Sequence, residues 1–371
     1  MTTASPLLLG LGLATPPHSA TQSQALALGV SATLQNPSQE ALVAGLYRRS
    51  GVDRRASVVL NSAKAEGQPL DQVFFSASTD NRWPSTAERM IAFDASAGAL
   101  ALHACRAAMA EARVSPDQLT DLITVSCTGL SAPGVDIALM TGLSLPPGVR
   151  RLNIGFMGCH GAIVALRTSA AIATSRSTSD GRPPLVLAVC IELCSLHLQR
   201  TSRVDRHVSN ALFADGCAAM IVGAAPASLA ACAADDRSLT TPSQRTVSPE
   251  HESVLQRPAL RLIDASSMLF PDSTSAMGWH IGDYGFEMTL DRSAPSLLER
   301  RLGEWVWPWL RSHLGSDARP HDVRWAVHPG GPRVLDAVAS ALRLSTEQTR
   351  ESRAVLREHG NMSSPTVLFV I

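Results

Sequence analysis

The chain has 371 residues, a hydrophobic fraction of 45%, a charged fraction of 17%, and 32 basic against 32 acidic side chains. This length gives room for two domains, or for one fused pair that shares a core. The balanced charge excludes a global field that attracts nucleic acid or an anionic membrane, so an anionic ligand needs a local patch.

The N-terminal segment contains an apolar run without a preceding basic region, and it leads directly into Pro16 and Pro17. This pattern predicts a strand and a loop rather than a secretion signal. No segment has the uncharged apolar length that spans a bilayer. The seven cysteines are scattered and lack zinc-site spacing, which favours reduced thiols in a cytoplasmic protein and no metal site.

Patterns typical of helices and strands alternate along the chain and predict an α/β fold. Residues 86–113 have helical spacing, and residues 115–129 predict a loop that leads into a buried strand. The segment 153–173 changes midway from a short buried strand to a helix. Two further strands are predicted in residues 183–195 and 210–224.

A polar stretch without periodicity, residues 225–255, separates an N-terminal half, residues 1–224, from a C-terminal half, residues 256–371. The second half repeats the order of the first. Residues 302–331 read as a helix, a polar loop and an apolar strand that ends in small residues, as do residues 100–129. The repeat indicates one supersecondary unit used twice rather than a long solenoid.

Aligning the ends of the two apolar strands places Cys127 opposite His328 and Cys159 opposite Asn361. Only residues 362–371 follow Asn361. On this alignment we expect the C-terminal half to lack its last two strands, which leaves a sheet edge and apolar surface uncovered.

The turn around Cys159 combines a thiol with features that activate one. Gly155, Gly158 and Gly161 crowd the junction between strand and helix. A helix N-terminus lowers the pKa of a thiol, and a nearby imidazolium lowers it further. Backbone N–H groups at the same turn are suited to hold a developing oxyanion. The sequence thus predicts a nucleophile at Cys159.

Two other residues complete the predicted site. His328 follows an apolar strand in a loop of proline and glycine, and Asn361 opens the last helical pattern. Each member of the set also has an ordinary structural interpretation, as a core thiol, a structural histidine or a turn. Their corresponding positions in the two copies favour a single site in which the imidazole faces the thiol and the amide donates to an oxyanion.

Several motifs resemble the type III polyketide synthases, the chalcone and stilbene synthase family of the thiolase fold. They are GFMGCHGA, NALFADGCAAMIVG, WAVHPGG and HGNMSSPTVLFV, extended by STAERM, SCTGLSAPGVD and MGWHIGDYGFEMTL. In detail the chain is similar to the bacterial branch. The resemblance implies a thiolase-like α/β fold with a duplicated α-β-α-β-α layered core.

The resemblance implies that Cys159 attacks an acyl-CoA thioester and holds the starter as an enzyme thioester. His328 is then expected to keep the thiol ionised, and Asn361 to orient malonyl-CoA and stabilise the enolate left by decarboxylation. Repeated Claisen condensations precede cyclisation to an alkylpyrone, an alkylresorcinol or a small phenol. The family chemistry implies no metal and no organic cofactor.

The resemblance also implies residues that shape the substrate cavity. Phe213 matches the family's aromatic gatekeeper, and Met288 stands at the second gatekeeper position. Trp279 replaces a small residue and is expected to narrow the cavity. The remaining cavity-lining positions of the family are occupied by Cys127, Cys194 and His197.

A basic run near the N-terminus is the candidate patch for the CoA phosphates. It comprises Arg48, Arg49, Arg54 and Arg55. Arg54 and Arg55 are the nearest match to the family's CoA-binding residues. The family is homodimeric, so we expect a homodimer here, with Ala132 in the segment that reaches across the interface.

Three alternatives stay open at this point. A ketoacyl synthase III-like enzyme condenses only once and uses acyl carrier protein. A cysteine hydrolase has the same chain order of cysteine, histidine and asparagine, although the α/β alternation and the duplication speak against it. The third alternative is a truncated, inactive paralogue that serves as a dimerisation partner.

Overall fold

The structure is a computed structural model, and it describes residues 5–34, 36–75, 83–175, 181–225, 259–271 and 273–371. The predicted polar connection lies outside the described residues except for Ala225, and Cys232 lies outside them as well. The boundaries of the two predicted halves therefore stay predictions.

The α-helices are α1 (Gln22–Leu28), α2 (Glu40–Arg48), α3 (Thr86–Ala112), α4 (Val135–Gly142), α5 (Gly161–Ala173), α6 (Val204–Leu212), α7 (Ala294–Leu314), α8 (Pro332–Leu342) and α9 (Arg350–His359). The strands are β1 (Ser5–Ala14), β2 (Ser19–Thr21), β3 (Arg54–Ala56), β4 (Asp121–Ser126), β5 (Arg150–Gly155), β6 (Val186–Leu193), β7 (Asp215–Ala225), β8 (Leu260–Arg261), β9 (Met277–Gly282) and β10 (Gly285–Leu290).

One six-stranded mixed sheet, in the order β5-β4-β6-β7-β1-β8, forms the centre of the described fold. β4 pairs in parallel with both β5 and β6, whereas β7 is antiparallel to β6 and β1. Side chains of β6 alternate between the two faces. Leu187 and Val189 pack towards α3, and Val186 and Ala188 pack towards α5. This arrangement is the predicted α/β layering of the N-terminal half.

The long helix α3 approaches the sheet closely because its contact face is built from alanines. Ala97, Ala101, Ala104 and Ala108 are completely buried. The helix begins at a capping box in which Ser85 and Glu88 satisfy each other's backbone N–H groups. Because this contact face is small, the backbone of β1 lies directly against α3. The two are too close to admit a side chain between them.

Two predicted strands differ from the structure. Residues 323–329 carry no strand, although the sequence predicted one before His328. Within the described part of the chain no neighbouring strand offers ladder hydrogen bonds to this segment, and Val327 N–H instead donates to Ser352 Oγ at 3.1 Å. The segment packs Trp325 among side chains of α7 and α8. The predicted strand 210–224 begins only at Asp215, because its first residues end helix α6.

Strand β5 is also different from its prediction as a buried strand. It lies at one end of the sheet order and pairs only with β4 within the described residues. Its side chains from Arg150 to Asn153 are exposed, including the apolar Leu152. An apolar run in the sequence does not distinguish a central strand from an edge strand that a partner covers.

Gly12 of β1 tests the close contact between β1 and α3. A Cβ atom at this position would overlap the Ala104 carbonyl oxygen. We expect Gly12→Val to lower the free energy of unfolding by about 3 kcal/mol, the upper part of the usual range for overpacking. Gly148→Ala is the matched control, because a Cβ there meets no atom within 4 Å. Equal urea midpoints for the two variants would contradict the proposed packing.

Candidate active site

The predicted turn at Cys159 is present. β5 ends at Gly155, a single 3-10 turn spans Gly158–His160, and α5 begins at Gly161. Phe156 and Gly158 have positive φ angles of 54° and 64°, which sharpen the turn. A Cβ at Gly161 would lie 2.8 Å from a Val125 methyl group, so this glycine lets α5 start against β4. The thiol therefore stands at the N-terminus of α5.

Asn361 comes from the C-terminal half and is held by backbone hydrogen bonds to the N-terminal half. Its N–H donates to Leu212 O at 2.9 Å, and its carbonyl accepts from Ala214 N–H at 2.9 Å. Its side-chain Oδ1 accepts from Ser363 N–H at 2.8 Å. The side-chain amide also lies close enough to the Cys159 thiol to lower the pKa of that thiol. The structure thus brings these two predicted residues together.

His328 lies on the loop that the Asn361 side chain contacts. Asn361 Nδ2 donates to Gly330 O at 3.4 Å, two residues beyond the imidazole. Both ring nitrogens of His328 are buried, and neither has a hydrogen-bond partner within the described part of the chain. Burying a polar group without a hydrogen-bond partner costs free energy. These two nitrogens are therefore candidates to bond a ligand or a neighbouring thiol.

Burial opposes the expected ion pair. Burial raises the pKa of the Cys159 thiol to about 11, although Ser363 and Asn361 lower it. Burial lowers the pKa of His328 to about 4. Both shifts favour the neutral form of each group by itself, because a low-dielectric site disfavours either charge alone. The thiolate and imidazolium that the sequence suggested stay a prediction, favoured only where the two charges compensate each other.

A buried carboxylate that sequence analysis missed lies beside these residues. Glu192 at the end of β6 accepts hydrogen bonds from Cys127 N–H at 2.9 Å, Thr128 Oγ1 at 2.7 Å and Ser364 Oγ at 2.7 Å. Burial raises the pKa of this carboxyl to about 7. It connects the end of β4 with the segment after Asn361. A single acid within the apolar run VLAVCIEL was the available signal.

A largely apolar cavity extends behind Phe213 towards α1, α2 and β3. Six of the predicted substrate residues line it: Arg55, Cys194, His197, Phe213, Trp279 and Met288. Other walls include Leu60, Phe75 and Phe286. Cys127 does not line this cavity. Its Sγ instead accepts a hydrogen bond from Gly158 N–H at 3.1 Å, beside the Cys159 turn.

Trp279 stands between the thiol turn and the cavity. Its indole Nε1 donates to Cys127 O at 2.7 Å, and its ring centroid lies 6.3 Å from that of Phe213. The ring also packs edge-on against His197 at 5.7 Å. The indole is thus fixed at both ends, and this position is consistent with the predicted narrowing of the cavity.

His197 is locked in one tautomer. Its Nε2–H donates to Thr128 O at 2.7 Å, and its Nδ1 accepts from Phe286 N–H at 2.9 Å. The ring is stacked on Phe286 at 4.3 Å. Burial lowers the pKa of His197 to about 3. With both nitrogens occupied, this residue forms part of the cavity wall and has no free nitrogen for proton transfer.

The structure corrects the assignment of Arg55 as a CoA ligand. Its side chain turns inward, is 8% exposed, and donates from Nη1 to Asn210 O at 2.7 Å and to Phe213 O at 2.9 Å. Successive side chains of a strand point to opposite faces, so its neighbour Arg54 is exposed. The exposed candidates for phosphate contacts are Arg48, Arg49 and Arg54.

Two features are absent from the described residues. No group of three or more histidine, cysteine, aspartate or glutamate side chains there is arranged to hold a metal ion. Among the helices of those same ranges, none combines the length and hydropathy that crossing a bilayer requires.

The pH dependence of His197 tests whether its ring is buried with both nitrogens hydrogen-bonded. Its lowered pKa, about 3, predicts a neutral Nε2–H imidazole in the folded protein down to about pH 5. The resulting stability is complete above the unfolded-state pKa near 6.5 and is lost as the pH falls towards the folded-state value. NMR of histidine-labelled protein, assigned with His197→Gln, measures the titration directly. A midpoint between pH 5 and 7 would contradict the buried, doubly bonded ring.

Comparisons with known proteins agree with this geometry. The profile of the chalcone and stilbene synthases matches residues 3–226 with its N-terminal domain and residues 261–371 with its C-terminal domain. A similar solved structure is PKS-I from the brown alga Ectocarpus siliculosus, with 28% identity and a TM-score of 0.82 over 99% of this chain and 88% of that chain.

Two fungal structures are also similar. The type III polyketide synthase ORAS has 26% identity and a TM-score of 0.77, over 99% of this chain and 89% of its own. A type III pentaketide synthase from Neurospora crassa has 26% identity and a TM-score of 0.76, over 98% and 89%. The chain therefore belongs to the chalcone and stilbene synthase family and is a type III polyketide synthase, an acyltransferase with a thiolase-like fold.

Proposed function

We propose that Cys159, His328 and Asn361 carry the acyl transfer and condensation steps of this polyketide synthase. The observation that supports this proposal most directly is the pair of backbone hydrogen bonds that hold Asn361 on the N-terminal half, where its amide lies close enough to the Cys159 thiol to lower the pKa of that thiol. His328 is assigned by its position on the loop that Asn361 contacts and by its unpaired ring nitrogens.

Loading begins with transfer of the Cys159 proton to His328 as the sulfur attacks the acyl-CoA carbonyl carbon. The carbon–sulfur bond to CoA then breaks, and the CoA thiolate takes the proton from the imidazolium. Both charges arise together, so the net charge of the buried site does not change. Each charge then compensates the other in a site where burial disfavours either charge alone.

Extension uses malonyl-CoA, the extender of the family. Loss of carbon dioxide leaves an electron pair on the thioester as an enolate, whose oxygen accepts hydrogen bonds from Asn361 Nδ2 and His328. The enolate carbon attacks the acyl group on Cys159, and the thiolate leaves. The product is a CoA thioester two carbons longer, which reloads for another cycle. The thioester supplies the activation, and we propose that no metal or organic cofactor takes part.

The apolar cavity supports a starter with an apolar acyl group. Its walls include Leu28, Leu60, Leu70 and Phe75, which suit an alkyl or aromatic chain. Products of the alkylpyrone, alkylresorcinol or small phenol class follow from such a starter. Several extensions are supported by the similarity to a pentaketide synthase, and Trp279 is the side chain placed to limit chain length.

We place the protein in the cytoplasm as a homodimer. The six described cysteines are all free thiols, which suits a reducing compartment. The exposed edge of β5, the adjacent turns and the start of α4 present exposed apolar side chains: Leu130, Ile137, Leu152, Phe156 and Met157. A second copy of this chain covers such an edge by antiparallel pairing of the two β5 strands.

Covalent loading tests the nucleophile. Wild-type protein incubated with acyl-CoA thioesters of graded length should gain the acyl mass at Cys159, and malonyl-CoA should then give extended, cyclised products. Cys159→Ala should abolish the adduct and lower turnover by about 10³-fold or more. Cys105→Ala is the control, because that thiol is buried within α3. An adduct that persists in Cys159→Ala refutes the assignment.

The same assay separates the competing activities. A product of one condensation that is not extended further would favour a ketoacyl synthase III-like reaction. Absence of any adduct in folded wild-type protein would favour an inactive paralogue.

Leu152 tests the proposed interface. It is 43% exposed on β5, and Leu42 on α2 is also 43% exposed, which makes the two leucines a matched pair. We expect Leu152→Arg to give a monomer. Dimerisation would bury the arginine charge between the two β5 strands without a partner, which destabilises the dimer. Leu42→Arg should remain dimeric. Analytical ultracentrifugation measures both, and an intact dimer in Leu152→Arg would contradict pairing through β5.

A further inference from the structure

We propose that Arg55 is a positioning residue that fixes Phe213 and Asn361 relative to Cys159. The inference rests on the proposed role of Asn361 in the reaction. It replaces the phosphate-binding role that the sequence suggested for this arginine.

The guanidinium of Arg55 is buried beneath the corner where α6 leads into β7. One nitrogen, Nη1, holds the carbonyl oxygens of Asn210 and Phe213 at 2.7 and 2.9 Å. The guanidinium carbon lies 5.6 Å from the Tyr47 ring centroid. Burial lowers the pKa of the guanidinium, whereas Tyr47 and Asp215 raise it. A buried cation that donates its hydrogen bonds to main-chain carbonyls fixes the backbone of this corner.

The same corner is the support for Asn361. Leu212 and Ala214, on either side of Phe213, make the two backbone hydrogen bonds that hold Asn361. Gly360 lies against the corner as well. A Cβ at Gly360 would come within 2.9 Å of Leu212 O and 3.5 Å of the Arg55 Cβ. Arg55 therefore binds the Phe213 corner and lies close to the turn that presents the asparagine.

A shift of this corner moves two groups at once. The Phe213 ring borders the cavity, and the Asn361 amide lies close to the thiol. Arg55 itself contacts neither the thiol nor the His328 ring among the interactions of the described residues. Its effect on the reaction is consequently indirect, through the backbone from Asn210 to Ala214.

The test compares Arg55→Lys and Arg55→Met with the wild type in two separate steps. Acyl loading of Cys159 by acyl-CoA, measured by mass spectrometry, should keep its rate within about threefold, because the Cys159 turn does not rest on this corner. Decarboxylation of malonyl-CoA should lose about 10²-fold in kcat, as expected for a displaced positioning group. KM for malonyl-CoA should change little.

Arg89→Met is the matched control. Arg89 is also fully buried and donates to main-chain carbonyls, Leu196 O and Leu198 O, but it does not contact the segment 210–214 or Asn361. The Arg89→Met variant should have a lower midpoint of thermal unfolding. Its ratio of decarboxylation rate to loading rate should be unchanged. A purely structural role of Arg55 would give the same pattern as this control.

Tyr47→Phe tests the proposal if both Arg55 variants fail to fold. It removes only the hydroxyl, whose interaction with the guanidinium raises the pKa of Arg55, and it should lower the decarboxylation kcat several-fold without affecting loading.

The proposal is overturned if the folded variants keep the wild-type ratio of decarboxylation to loading. It is also overturned if the KM for CoA substrates rises at constant kcat, since that result assigns Arg55 to CoA binding. Failure of wild-type protein to load at Cys159 would instead refute the proposed function.

Discussion

The pairing of Asn361 with the backbone of residues 212–214 is the constraint on which the site depends. It is formed by two hydrogen bonds of 2.9 Å, and it links the end of α9 to the corner between α6 and β7. Through it, an amide from the C-terminal half meets a thiol from the N-terminal half. Glu192 strengthens the same junction because it holds Ser364 and the end of β4 on one carboxylate.

Burial determines the resting chemistry of this junction. Charges of either sign are disfavoured there, so the thiol, the imidazole and the carboxyl all shift towards their neutral forms. An ion pair of thiolate and imidazolium forms in such a site only where the two charges compensate each other. Hydrogen-bond donors already in place contribute more in this environment than they would in water.

Much of the fold was predictable because its signals are local. The alanine spacing of residues 86–113 gave α3 within one residue of its end, and the glycines around Cys159 gave the turn before α5. The motifs around Cys159, His328 and Asn361 led to the family, which the comparisons confirmed. In these cases neighbours in sequence carry the information, as in helix periodicity and turn conformation.

What the sequence by itself determined was the α/β class, the position of the thiol at a helix N-terminus and the family. Only the tertiary structure decided that Arg55 points inward, that β5 is an exposed edge, that the segment before His328 is not a strand, and that burial disfavours a single charge at the thiol or the imidazole. These properties depend on which distant segments surround a residue. Strand pairing and burial are set by such partners, and no local pattern specifies them.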